Sequence, residues 1–230
     1  MLFFILPTTN PNKTNACGAG IISNEWALTA AHCFLNPDLD ANNMRVIAGT
    51  SNLRNRTITA KRYNVTKYIQ HEKFIGLSSK KSTENDIAVI KISPPLEFNK
   101  AIRPLKLPEK GKPLKIDYVT IAGWGKTDVQ GNGSLILRQV RLPRMGTLKC
   151  IILYGLRGVQ IHKDELCYGF HNKTVTKDKC QGDSGGPLVN KDGIVVAIVS
   201  KGAACGTLGL PGIDTNVLYH RDWIKKKTGV

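Results

Sequence analysis

Gly182-Asp183-Ser184-Gly185-Gly186-Pro187 is the stretch on which the fold and the chemistry of this chain both turn. Glycines on either side of one serine release the backbone from steric limits and allow a tight turn whose N–H groups point inward. That arrangement suits an exposed nucleophile beside donors that bind a developing oxyanion. The plainer alternative is a Gly-rich turn between two strands, but the whole string is far more specific than a bare Gly-x-Ser-Gly. A serine hydroxyl needs a base, and Thr29-Ala30-Ala31-His32-Cys33 supplies one, with small residues crowding the ring and a cysteine anchoring the loop. A lone histidine is more often structural, so His32 carries meaning only with a partner. Orienting an imidazole takes a buried carboxylate. Asn85-Asp86-Ile87-Ala88-Val89-Ile90 places an aspartate at the mouth of an apolar strand, where an ordinary turn aspartate is the alternative.

Outward from these segments the chain is a series of short β-rich runs bounded by Gly, Pro, Asn and Asp. They are Arg45–Ala48, Tyr63–Ile69, Ile87–Ile92, Tyr118–Ala122, Leu135–Leu142 and Ile194–Ser200. Such spacing predicts an all-β barrel or sandwich. Asp192-Gly193 reads as a hairpin turn between Pro187–Val189 and Ile194–Ser200, because Gly tolerates positive φ. The Pro-rich stretch Arg103–Pro113 is the best connection between two halves. Helical periodicity is confined to the tail, where Tyr219 and Trp223 stand four apart, Ile224 follows, and Thr215 or Asn216 would cap the start. There is no internal repeat and no low-complexity tract.

Composition excludes other classes. Lys and Arg number 33 against 17 Asp and Glu, a net charge of +16, which favours anionic surfaces. The cations are scattered, with no zinc-finger spacing and no aromatic ribonucleoprotein motif, so the chain does not read as a nucleic-acid binder. The tightest cluster, Lys225–Lys227, suits a helix C-terminus. The apolar N-terminal run Met1–Leu6 is too short to span a membrane and lacks the basic start of a signal peptide. Cys17, Cys33, Cys150, Cys167, Cys180 and Cys205 form no C-x-x-C unit, which argues against zinc and for disulfides in an oxidising compartment. Sequons at Asn12, Asn55, Asn64, Asn132 and Asn172 fit a secreted glycoprotein. The loop after Gly49, Thr50 to Arg56, contains no acid and would repel calcium.

Taken together, the His32, Asp86 and Ser184 segments resemble the chymotrypsin/trypsin family of serine proteases, and their chain order differs from the subtilisin-like and α/β-hydrolase orders. The resemblance runs from about Leu2 to Lys227 and includes Cys17-Gly18, Trp26, Gly123-Trp124-Gly125 and Trp223-Ile224. It implies two antiparallel six-stranded Greek-key barrels in one peptidase domain, the first over about 1–103, the second over about 104–217, and a closing helix over about 218–227. It implies His32 as general base, Asp86 as its orienter, Ser184 as nucleophile, and the N–H groups of Gly182 and Ser184 as oxyanion hole. It implies peptide hydrolysis through an acyl-enzyme with no metal or cofactor. It also implies the disulfides Cys17–Cys33, Cys150–Cys167 and Cys180–Cys205.

The same resemblance makes Asp178, six before the nucleophile, the base of the primary pocket. Its charge would receive a substrate Lys or Arg, with Gly202 and Gly212 keeping the walls open and Ser200 among the substrate-binding positions. Three residues depart from the pattern: Lys179 replaces a small residue, Lys201 a tryptophan flanking the substrate, and Asp214 a tyrosine. A Lys inside the pocket would neutralise Asp178 unless answered, so Lys179 is expected to pair with Asp214. Asp183 is the residue that takes the ammonium of a cleaved zymogen in this family. No Ile-Val-Gly-Gly-like start precedes Cys17, so the chain reads as lacking its signal, propeptide and activation end. Expected partners are protein or peptide substrates, protein protease inhibitors and anionic glycans, acting on a secreted monomer. The competing class is a non-catalytic or zymogen-like homologue that binds anionic partners through its basic surface.

Overall fold

A computed structural model describes residues 1–7, 15–36, 39–54, 59–76, 83–114, 116–127, 132–170, 179–202 and 210–230. Six strands form the first closed barrel: β1 (Leu2–Leu6), β2 (Asn15–Ile21), β3 (Trp26–Thr29), β4 (Arg45–Ala48), β5 (Lys61–Gln70) and β6 (Ala88–Ser93). Their order around the barrel is β1-β2-β3-β6-β5-β4, with every pairing antiparallel and β4 closing onto β1. After it come β7 (Tyr118–Gly123), β8 (Arg138–Met145), the helix α1 (Thr147–Gly155), β9 (Glu165–Tyr168), β10 (Pro187–Val189), β11 (Val195–Lys201) and β12 (Gly212–Asn216). These strands close a second barrel in the order β10-β11-β12-β9-β8-β7. Helix α2 (Arg221–Thr228) ends the fold. Among the described residues no helix is long and apolar enough to cross a membrane.

Alternation explains β1. Leu2, Phe4 and Leu6 point into the first core, while Phe3 and Ile5 face out, as a two-residue period requires. Phe3 then meets Trp124 of the second half edge-to-face, 5.6 Å between ring centres. β11 shows no alternation because both of its faces are covered: Val195 and Ile198 join the first core, and Val196, Ala197 and Val199 join the second. A continuous apolar run is the signature of such a strand.

The Pro-rich connection does run between the barrels and stitches them. Leu105 N–H donates to Ile21 O at 2.8 Å, Lys106 N–H to Gly193 O at 3.1 Å, and Val195 N–H to Lys106 O at 2.9 Å. The Asp192-Gly193 turn joins β10 to β11 as expected, with Gly193 at φ 77°.

Local readings needed correction at several ends. β8 begins at Arg138 rather than Leu135, since the residues before it bond instead to the 51–53 loop: Leu53 N–H donates to Leu135 O at 2.8 Å and Leu137 N–H to Ser51 O at 2.7 Å. The tail helix starts at Arg221, after a His220 cap, so Tyr219 lies outside it and is 55% exposed. Thr215 and Asn216 belong to β12; the Asn216 side chain instead accepts the Leu218 N–H at 3.1 Å in the turn before the helix. The three lysines do occupy the last turn of α2, which closes on Gly229 at φ 78°. Helix α1 was not legible as a helix.

Disulfides Cys17–Cys33 and Cys150–Cys167 are formed. Cys180 is also disulfide-bonded, and Cys205 lies outside the described residues. So do the sequons at Asn12, Asn55 and Asn172, whereas Asn64 and Asn132 are exposed.

Burial predicts the hierarchy of substitutions. Phe4→Ala empties the centre of the first core and should cost about 3–5 kcal/mol. Leu148→Ala, at a side chain 72% exposed, should stay within about 0.5 kcal/mol. Urea unfolding of the two variants checks the contrast.

Candidate active site

His32 sits in a single 3₁₀ turn, Ala31–Phe34, directly after β3. Ala30 and Ala31 are fully buried, so larger side chains have no room, and Cys33 ties the turn to Cys17 on β2. The Gln70 side-chain amide holds the turn from β5 by donating to Ala31 O at 3.0 Å. The Asp86 carboxylate grips His32 twice: the backbone N–H reaches Oδ1 at 2.8 Å and the ring Nδ1 reaches Oδ2 at 2.7 Å. Nδ1 therefore carries the proton donated to Asp86, which leaves Nε2 as the basic nitrogen.

Asp86 is fully buried, and an isolated carboxylate there would be very costly. Its charge is answered by the two His32 contacts and by the Ser200 hydroxyl, which donates to Oδ2 at 2.5 Å from the end of β11. Thr215 on β12 donates to the Asp86 carbonyl at 2.9 Å. The aspartate belongs to the first barrel, and two of its partners belong to the second.

The Ser184 turn is pressed against the His32 segment. Gly18 N–H donates to Ser184 O at 2.7 Å, and Gly185 N–H donates to Val199 O at 2.9 Å. Gly185 has φ 76°, and a Cβ there would lie 2.2 Å from Thr29 Oγ1 and 3.1 Å from Ala30 N. Only glycine lets the residue after Ser184 come that close to the strand leading into His32. Gly182, at φ 97°, completes the turn. Asp183 turns its carboxylate the other way, accepting from Gly125 N–H at 3.0 Å and Cys180 N–H at 2.9 Å. Side chains at Gly123 or Gly125 would collide with that carboxylate, since a Cβ would stand 1.9 or 2.5 Å from Oδ1. The Gly123-Trp124-Gly125 motif thus makes a seat for Asp183.

Beside this turn, Lys179 and Asp214 are paired at 2.6 Å, both buried, with Tyr168 O near the same ammonium at 3.4 Å. The lysine stem passes over Gly212, where a Cβ would meet Lys179 Nζ at 2.3 Å. Gly212 is therefore open toward the space that Lys179 fills. Gly202 stands opposite, a Cβ there being 3.6 Å from Gly212 Cα. Asp178 lies outside the described residues. Lys201 ends β11 and approaches Glu165 at 3.7 Å.

Sequence reading missed a second set of residues around Asp86. Asp164 and Glu165, at the head of β9, clamp the loop that presents it. Asn85, at φ 60°, donates its N–H to Asp164 Oδ2 at 2.6 Å, and Thr83 donates its hydroxyl to Glu165 Oε1 at 2.5 Å. His220 faces the same Asp164 oxygen at 3.2 Å. Burial works against the Asp164 charge, but hydrogen bonds from His220 and Asn85 outweigh it and hold its acid strength above the ordinary carboxylate value. An Asp-Glu pair beside a strand looks like a solvated surface in one dimension, so no local signal marks it.

The Trypsin family profile matches residues 5–224. This chain belongs to the trypsin family. A trypsin from Phaedon cochleariae is 35% identical over 215 residues, covering 93% of this chain and 79% of that protein. Trypsin-1 from Astacus astacus is 35% identical over 213 residues, covering 91% of this chain and 86% of that one. Phenoloxidase-activating factor 1 from Holotrichia diomphalia is 33% identical over 233 residues, 91% of this chain but 61% of its own length. These similarities extend across both barrels.

The clamp carries a pH dependence. Asp164 has a lowered folded-state pKa, so its contribution is present above the ordinary carboxylate range and fades as pH falls through the folded value. His71, next to His220, is also lowered, chiefly by burial and then by repulsion from His220, so stability is lost as acid charges it. Both act in one direction: the melting temperature should fall from about pH 6.5 downward through His71, and further between about pH 4 and about pH 2 through Asp164. Asp164→Ala, which strands the Asn85 N–H and His220, should lower stability at neutral pH by about 1–3 kcal/mol. Calorimetry across that pH range measures both effects.

Proposed function

We propose that this trypsin-family chain is a serine endopeptidase that cleaves after Lys or Arg in the extracellular space. The observation that carries the reading is the doubly gripped His32–Asp86 pair set beside the Ser184 turn. Nε2 of His32 takes the proton of the Ser184 hydroxyl as the oxygen attacks the substrate carbonyl carbon. The developing oxyanion is received by the N–H groups of Gly182 and Ser184, whose turn Asp183 steadies through Gly125 and Cys180. The imidazolium, stabilised by Asp86, then gives its proton to the leaving amine, and water releases the acyl group by the same steps in reverse roles. These are steps of side chains and backbone alone.

Specificity follows from charge. Lys179 would repel a basic substrate, but its ammonium is bound to Asp214 at 2.6 Å and the pair is neutral as a unit. Asp178 then sets the sign of the pocket. The bonded cysteines fit an oxidising, extracellular setting. The competing reading, a non-catalytic homologue, is disfavoured by Ser184 standing in the chain together with His32 and Asp86, since holding the barrels requires only the buried aspartate and its partners and not a nucleophile.

Isolated protein should be labelled at Ser184 by diisopropyl fluorophosphate and should hydrolyse arginyl and lysyl anilides in preference to phenylalanyl ones. Ser184→Ala should remove at least about four orders of magnitude in kcat. Folded protein that leaves Ser184 unlabelled would establish the non-catalytic reading instead, and a preference for aromatic substrates would overturn the pocket assignment. Asp178→Ser should cost about a hundredfold or more in kcat/KM for arginyl substrates. Asp214→Asn tests the pair separately: it leaves Lys179 buried against a neutral group and should destabilise the fold by about 3–5 kcal/mol in urea unfolding.

A further inference from the structure

Helix α1 carries a feature that the proteolytic chemistry does not use. Its inner face is fastened to the second barrel: Cys150 is bonded to Cys167, and the Tyr154 hydroxyl donates to Pro211 O. Its outer face presents Leu148, Ile151 and Ile152, and Leu156 follows directly after the last turn. Spacings of three, four and eight residues put these side chains on one stripe. Leu148 is 72% exposed, Ile152 53% and Leu156 80%. Contiguous aliphatic surface of this kind on a soluble fold marks a place where something docks.

The surrounding charge says what docks. From 129 to 163 the sequence contains no Asp or Glu, yet it carries Arg138, Arg141, Arg144, Lys149, Arg157 and Lys163. All six are exposed; Lys149 follows Leu148 on the helix, and Arg157 follows Leu156, its guanidinium donating to Leu153 O at 2.8 Å. A partner must therefore be anionic and must also offer an apolar layer within reach of side chains. A sulfated glycan satisfies the cations and leaves the stripe in water. An anionic lipid surface satisfies both, with phosphate and carboxylate head groups for the cations and the acyl boundary for the leucines and isoleucines.

We propose that the outer face of α1 is a docking site for anionic lipid surfaces, lying in the interface rather than crossing it. A nine-residue helix is far shorter than a membrane span. Binding then has two components: one screened by salt and dependent on Lys149 and Arg157, the other dependent on the aliphatic stripe. The site is independent of Ser184 and stands or falls separately from the proteolytic reading.

Co-sedimentation of the intact protein with phosphatidylcholine vesicles, with and without phosphatidylserine, tests it. Binding should appear on the phosphatidylserine vesicles, weaken as salt is raised, and fall about tenfold or more in each of two variants. One is Leu148→Asn with Ile152→Asn, the other Lys149→Glu with Arg157→Glu. Both change exposed side chains, and unchanged melting curves verify that the fold survives. Absence of binding to phosphatidylserine vesicles overturns the proposal. Binding that neither variant reduces also overturns it, because net charge alone then explains the adhesion. Heparin retention lost in the charge variant but kept in the Asn variant, without vesicle binding, assigns the face to a glycan. A dimer abolished by the Asn variant, again without vesicle binding, assigns it to a second copy of the chain.

Discussion

The fold is organised around one buried negative charge. Asp86 has no contact with water, and a carboxylate in that position is tolerable only if donors converge on it from every side. Those donors come from both barrels: His32 through backbone and ring, Ser200 through its hydroxyl, and Thr215 through the adjacent carbonyl. Neither barrel alone can solvate the group. The cost of burying Asp86 is thereby converted into a constraint on how the two barrels meet, and the placement of His32 beside the Ser184 turn follows from that constraint.

Around this centre the structure repeats the same solution with other charges. Asp183 is received by two backbone N–H groups over a floor of glycines, Lys179 is answered by Asp214, and Asp164 is answered by His220 and Asn85. Apart from the local Cys180–Asp183 contact, these pairings join segments between 35 and 79 residues apart in the chain. Buried ion pairs contribute little net stability but are strongly destabilising to break. They act here as alignment devices. The excess positive charge lies elsewhere, on exposed side chains, and so bears on what the surface meets rather than on how the interior is held.

Much of this was legible in one dimension. The Ser184 turn, the His32 segment and the Asp86 segment are local patterns whose residue types follow from local demands: glycines where backbone must pass close, alanines where a ring must fit, an aspartate before an apolar strand. The pairing of Lys179 with Asp214 was also foreseeable, because an unanswered lysine in an interior is too costly to persist. The β-rich rhythm identified an all-β chain. Helix α1 was not legible, because its outward face carries leucine and isoleucine where a polar stripe would normally announce a surface helix.

Sequence by itself determined the chemical inventory: a glycine-flanked serine, a histidine, an aspartate before an apolar strand, an even set of cysteines and an all-β rhythm of short strands. Tertiary structure alone decided that Asp164 and Glu165 hold the Asp86 loop, that Lys179 lies across Gly212, and that the boundary of the tail helix falls at His220. The physical reason is range. Backbone conformation and strand alternation are set by neighbours a few residues away, whereas Asn85 and Asp164, or Thr83 and Glu165, meet only after two barrels have closed and docked. The energy of each such contact exists only in the assembled molecule, and a linear pattern carries no trace of it.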